Sequence, residues 1–402
     1  MIIEMVSVVF YFHAHQPFRV KKYRIFDIGV SRDYFDDDLN KRILGRVVRK
    51  CYRPMNKLLL ELIKDYNLKV SFSISGVLIE QLELWYPDVL DLFGELVDTG
   101  NVELLAETYY HSLASIFSER EFKEQVRKHV KKLREVFNYK PRAFRNTELV
   151  YSNEIAKNVR KLGFKVMLTE GTEKILGWRS PTYVYRAKGV DLKLLLRHYK
   201  LSDDIAFRFS NPNWEEFPLT AEKYATWISS HNGNGYVVNI FMDYETFGEH
   251  QWPETGIFEF FRNLPKEILK HPDNDFATVS EAASRYEAVD EIDVPYIISW
   301  ADLERDLSAW LGDSLQHEAA KNLYEIEKAV KRYYKKCGDE QILEAWRKLT
   351  TADHLYYMSL KYDADGDIHK YFRDQAFPTP FDAFVAFMNI LHDLKMRVGV
   401  KK

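Results

Sequence analysis

Cysteine is almost missing from this sequence. Cys51 and Cys337 are the only two among 402 residues, and they are far apart with no metal-ligand spacing. That excludes a disulfide framework and a thiolate zinc site, and it reads as reduced thiols in a reducing compartment. Long apolar runs are missing too, none approaching the roughly 20 residues a membrane span needs. There is no excess of one charge sign either. A net charge of -3 is not the basic footprint of a nucleic-acid binder. The start, MIIEMVSVVFYFHAHQP, lacks the basic residues and the small-residue cleavage site of a secretory leader. Its β-branched and aromatic content, Val6 to Phe12, reads instead as a buried strand. Repeats, low-complexity tracts and long linkers are also absent. The expectation is a soluble cytoplasmic protein that partners neither nucleic acid nor membrane. Its oligomeric state is not legible at this level.

What is present is a globular composition, 46% apolar and 29% charged, unusually rich in Phe, Tyr and Trp at 15%. Aromatic residues fill cores for ordinary packing reasons, and their faces also suit sugar rings, so composition alone does not separate the two uses. Up to about residue 285, short β-rich runs alternate with amphipathic helical stretches. The strands expected are Val6–His13, Lys69–Ser75, Val102–Glu107, Ala143–Arg145, Lys165–Leu168, Leu192–Arg197 and Val237–Asp243. Helical patterns include Pro54–Tyr66, Glu119–Phe137, Ser152–Leu162 and Ala221–Ser230. Such alternation predicts parallel strands with helical crossovers. His13 and His15, Glu107 and His111, Glu148 and Asp243 all fall at or just past strand C-termini. In a β/α barrel those ends converge on one face, which favours a barrel over an open sheet. After Pro295 the pattern is helical, at Leu315–Lys336, Glu340–Leu360 and Phe381–Val398. The expected division is a barrel over residues 1–290 and an α-helical domain over 291–402, packed on it.

Five segments carry chemistry. In His13-Ala-His-Gln-Pro17 the two histidines share one face of a strand. Metal ligation, sugar hydrogen bonding and packing are open readings of that pair. In GNVELLAETYYHSL, residues 100 to 113, Glu107 and His111 are four apart; one side of a helical turn, or an ordinary capping acid and a buried histidine, are open readings of that pair. In AFRNTELVYSNEIA, residues 143 to 156, Glu148 follows Arg145 and Asn146, partners that can keep a carboxylate ionised. The structural alternative is an acid at a helix N-terminus. In NIFMDYETFGEHQW, residues 239 to 252, Asp243 ends an apolar strand, where desolvation is expected to suit it to general-acid work. Glu245 and Glu249 are expected further out, supporting the site or solvated. In ISWADLERDLSAWLGD, residues 298 to 313, Trp300 and Asp302 stand where a loop can close over a ligand, and Trp310 belongs to a core face.

These five segments, in this order and spacing, resemble the five sequence regions of glycoside hydrolase family 57, and most nearly those of its α-amylases. The likeness runs from His13 to about His369 and includes the strings FRNTELVY and FMDYETFGEHQW. The resemblance implies a seven-stranded (β/α) barrel followed by a helical domain. It also implies retaining cleavage of α-glucosidic bonds in an α-glucan or maltooligosaccharide, without cofactor or metal. The family nucleophile maps onto Glu148 and the acid/base onto Asp243. Its substrate-contacting residues map onto His13, His15, Glu107 and His111, and further subsite residues onto Trp252, Trp300, Asp302, Asp353 and His354. A 4-α-glucanotransferase would use the same catalytic pair. A metal-dependent deacetylase or mannosidase around His13, His15 and Asp243 is the rival from another class, and a noncatalytic glucan-binding module the third. The string Asp363-Ala-Asp-Gly-Asp367 fails the spacing of an EF-hand loop and reads as a polar turn.

Overall fold

The computed structural model describes residues 6–400; the first five residues of the start discussed above lie outside the described residues. Seven parallel strands close a barrel: Val6–Ala14 (β1), Val70–Ile74 (β2), Val102–Leu104 (β3), Ala143–Arg145 (β4), Val166–Glu170 (β5), Lys193–Arg197 (β6) and Val237–Asp243 (β7). Hydrogen bonding runs β3-β2-β1-β7 on one side and β6-β5-β4 on the other. Two narrow seams join the halves. One is the parallel bridge between Ala106 and Phe144. At the other, the His198 N–H donates to the Asn239 carbonyl at 2.8 Å, and the Asn239 side chain donates to the Leu196 carbonyl at 2.9 Å. β1 and β2 are buried along their whole length, as strands covered by helices must be.

These are the seven strands the sequence pattern predicts. Three short ones are additions. Tyr185–Ala187 pairs antiparallel with β6, Asn274–Phe276 extends the sheet beside the start of β1, and Glu291–Ile292 pairs with Tyr185–Ala187. They have two or three residues each, no longer than β3 and β4, and they are not among the strands expected from the sequence. The helix Glu119–Phe137 matches its expected limits, with Ser118 capping the Glu121 N–H.

Of the three long helical patterns near the C-terminus the first two are broken, and the third is one continuous helix close to its expected limits. Helices run Ser314–Glu325 and Glu327–Cys337, then Glu340–Leu349 and Ala352–Tyr356, and finally Pro380–Arg397. The segment read as a polar turn is the first turn of helix Asp363–Arg373, where Asp363 and Asp365 complement the positive helix end. This helical part shares its core with the barrel. Trp310, Trp346, Phe387 and Leu394 belong to one buried cluster with Ala106, Phe144 and Met167. Among the described residues no helix is long and apolar enough to cross a membrane.

Candidate active site

The barrel brings the C-terminal ends of β1, β3, β4 and β7 together at one mouth, and with them His13, His15, Glu107, His111, Glu148 and Asp243. The rings of His13, His15 and His111 stack, with centroids 4.1 to 5.8 Å apart. Glu107 and His111 are neighbours without a helical turn. Residues 105–113 are mostly loop, His111 has φ +52°, and the bend is fixed by the Ser112 N–H donating to the Thr108 hydroxyl and the Thr147 hydroxyl donating to the Ser112 carbonyl.

Glu148 stands on a strained turn just after β4, at φ +55°, with Leu149 at +52°. Side chains rarely adopt this region without a functional reason. Its carboxylate is held from both sides. Oε1 accepts from His111 Nε2 at 2.6 Å, and Oε2 accepts from the Trp300 indole N–H at 2.6 Å. Burial by itself pushes this carboxyl up, but the bond and charge of His111 and the charge of Arg145 outweigh it and hold the group at about 2. The helix-capping alternative does not apply, because Ser152 caps the following helix. Asn146 is not the partner expected: its amide goes to Ser115 and the Val150 carbonyl. Arg145 contributes charge, lying 5.0 Å from the centre of the Trp300 ring, while Arg197 lies 5.5 Å from it. Two guanidinium groups thus lie within cation–π range of the Trp300 ring.

The protonation states follow from partners. His111 faces Glu148 through Nε2 and Glu107 through Nδ1 at 3.4 Å, so both nitrogens meet acceptors and the ring is an imidazolium. Burial opposes that charge, but the two carboxylates outweigh it and raise the group to about 9. His15 is neutral, lowered to about 4 by burial and then by the nearby His111. Its Nε2–H donates to Asp353 at 3.0 Å, and its Nδ1 accepts from the Ser75 hydroxyl at 2.7 Å. His13 reaches Asp243 through Nδ1 at 3.5 Å.

Asp243 is not the desolvated carboxyl that the sequence suggests. Its side chain is 46% exposed at the mouth. The buried acid of this loop is Glu245, raised to about 7 by burial and then by the charge of Asp243. Glu245 accepts from the Tyr52 hydroxyl and from the His15 backbone N–H. Glu249 is also buried and pairs with Arg46. Neither is solvated, because the loop folds back over the helix at Val48–Tyr52 instead of projecting outward.

The remaining expected residues are dispersed. Trp252 is 60% exposed, beneath the Lys50 ammonium. The Asp302 side chain is buried, bonded to Lys361 at 2.7 Å and His369 at 3.0 Å, so it anchors the loop that carries Trp300. His354 is not brought into the cluster. It is buried, its two nitrogens meeting the Phe18 and Leu349 carbonyls at 3.1 and 3.3 Å. Two supporting groups escaped sequence reading. His129 accepts the Glu107 backbone N–H at 3.1 Å, and Arg305 holds the Trp300 carbonyl. Both come from long-range packing, which leaves no local pattern. The donors of His13, Glu107 and His111 come within 4.8 Å of one another, as do those of His15, His111 and Asp353. In the first set His111 bonds Glu107 and His13 Nε2 meets Arg145; in the second His15 bonds Asp353 and His111 bonds Glu148.

Residues 9–295 match the family described as Glycosyl hydrolase family 57. The chain belongs to glycosyl hydrolase family 57. As a member of that family it is a glycoside hydrolase. A Methanocaldococcus jannaschii protein described as "Putative alpha-amylase" is 49% identical over 397 residues, covering 96% of this chain and 84% of that one. A Pyrococcus horikoshii protein named alpha-amylase is 27% identical over 302 residues, covering 72% of this chain and 43% of that one. Among solved structures, the 4-alpha-glucanotransferase of Thermococcus litoralis shares the fold with a TM-score of 0.68 at 18% identity, over 88% of this chain and 56% of that one. The family 57 branching enzyme of Pyrococcus horikoshii does so at 0.68 and 15% identity, over 98% and 95%.

Proposed function

We propose that this hydrolase cleaves α-1,4-glucosidic bonds of starch- or glycogen-type glucans, or of maltooligosaccharides, with retention of configuration. The observation that carries this reading is the environment of Glu148. Its carboxylate is ionised, fixed through both oxygens and set on a strained turn at the mouth, as a nucleophile requires. The names of the amylase and glucanotransferase relatives support α-glucan as the substrate class. Glu148 attacks the anomeric carbon while Asp243, open to the mouth, protonates the departing oxygen. The product of that step is a β-glycosyl ester on Glu148. Asp243 then takes a proton from water, which opens the ester and restores the α-configuration. A sugar hydroxyl in place of water makes the same machinery a 4-α-glucanotransferase. Longer products from pure maltotetraose would identify that outcome.

The test replaces the nucleophile. Glu148→Ala leaves a space on the β-face of the anomeric carbon, where azide fits and needs no general base. On an α-glucosyl substrate with a good leaving group, azide should restore turnover and give the β-glucosyl azide. The α-azide from this variant would overturn the assignment of Glu148.

A further inference from the structure

Glu107 has no task in the mechanism above. The resemblance makes it a substrate contact, yet its side chain has no solvent exposure at all. Its Oε2 lies 3.4 Å from His13 Nε2 and 3.4 Å from His111 Nδ1, while its Oε1 is buried without a hydrogen-bond partner. His111 continues to Glu148 at 2.6 Å and His13 to Asp243 at 3.5 Å. Five groups therefore form one chain of alternating carboxyls and imidazoles, with the nucleophile at one end and the acid/base at the other.

Three other groups face Glu107, and one of them, Arg145, also meets the receiving nitrogen of His13. From β4, Arg145 Nη1 lies 4.0 Å from Oε2 and remains charged throughout. From β1, Tyr11 is held neutral by burial and bonded to Ser73. From helix Glu119–Phe137, His129 accepts a backbone N–H and meets the Ile74 carbonyl at 2.8 Å, which fixes one neutral tautomer. In the resting chain Arg145 Nη1 donates to His13 Nε2 at 3.4 Å, so that nitrogen carries a lone pair and the proton sits on Nδ1.

We propose that Glu107 is a positioning residue that passes one proton between His111 and His13, so that the imidazolium follows the negative charge from Glu148 to Asp243. This rests on the reading of Glu148 as nucleophile. When Glu148 becomes an ester its charge disappears, and Asp243, having given up its proton, becomes the anion. The N–H bond at His111 Nδ1 then breaks, Glu107 Oε2 takes the proton, the Arg145 hydrogen bond to His13 Nε2 is released, and a new N–H bond forms at that nitrogen. No proton enters or leaves. His111 is left neutral beside the neutral ester, and His13 is left cationic beside the Asp243 carboxylate. Deglycosylation reverses the transfer. Each negative charge thus keeps a cationic partner through both steps, which matters most at the buried end, around Glu107 and His111, where unpaired charge is expensive.

The experiment observes the imidazoles directly. With ¹⁵N-labelled histidine, the free enzyme should show His111 as the imidazolium and His13 as the neutral ring. Trapping with 5-fluoro-α-maltosyl fluoride should exchange those two states. A His111 that stays cationic in the trapped enzyme overturns the proposal. Absence of an adduct on the Glu148 peptide by mass would instead count against the nucleophile reading, so the two failures are distinct. Glu107→Gln keeps the shape and removes the relay. If it folds, kcat should fall at least about 100-fold with KM changed less than about threefold, and the pH profile should lose a limb. Glu107→Asp should recover part of the rate and the wild-type profile shape. An unchanged profile with the loss confined to KM would make Glu107 a structural or binding residue.

Discussion

At the scale of single residues, the site works by fixing charge before substrate arrives. Trp300 gives a sharp case, because its ring lies within cation–π range of Arg145 and Arg197 while only its N–H touches Glu148. Trp300→Phe keeps an aromatic ring there and deletes one hydrogen bond to a charged acceptor. That should cost about 2 kcal/mol, or about 30-fold in kcat, measured on maltooligosaccharides with the melting temperature as control. A kcat within a factor of two of wild type would mean that the indole N–H does not orient the nucleophile. His111 makes a pH prediction. Its folded value of about 9 exceeds the unfolded value of about 6.5, so its ion pairs stabilise the fold fully below the unfolded value. That stabilisation is lost as pH rises through the folded value. Melting temperature should therefore fall between about pH 6.5 and 9, and His111→Gln should flatten that slope. A variant with an undiminished slope would place the dependence elsewhere.

At the scale of elements, the loop after β7 decides where Asp243 and its neighbours stand. Gly248 has φ +99°, and a Cβ there would lie 1.9 Å from the Lys50 carbonyl oxygen, so the loop can pack against Val48–Tyr52 only with glycine at this point. Gly248→Ala should destabilise the chain by more than about 2 kcal/mol in urea titration. It should also lower activity, because Tyr52 and Glu245 would be pushed apart. A wild-type midpoint would show that the loop has another way to seat. The same element decides between two expectations for Glu245 and Glu249, support of the site or solvation, because backbone packing against a distant helix buries both.

At the scale of the whole molecule, barrel and helical part share a core, so they should not melt separately. Calorimetry should show one transition. Trp346, fully buried with its indole N–H on the Leu323 carbonyl at 2.9 Å, is a probe in the helical part. Trp346→Ala should lower that single transition by about 3–5 kcal/mol of stability, reducing activity and secondary structure at the same temperature. Two resolved transitions would contradict the shared core. The ion-pair network of Glu121 with Lys331 and Arg347 crosses the same contact, tying helix Glu119–Phe137 to the helical part.

The order of strands and helices was legible because hydrophobic period and turn chemistry are local. Glu148 and Asp243 were legible for a related reason. An acid that ends an apolar strand interrupts a pattern, and the strings around both residues are long enough to carry a family likeness. The partners of those acids were another matter. The sequence offered Arg145 and Asn146 for Glu148; Arg145 supplies charge, but the hydrogen bonds come from His111, 37 positions away, and Trp300, 152 away. It made His354 a subsite residue, whereas packing turns that ring onto backbone carbonyls. Periodicity fixes which face of an element is buried, and that much the chain carries in itself. Which charged groups meet inside depends on how distant elements close on one another, and only the tertiary structure decides that.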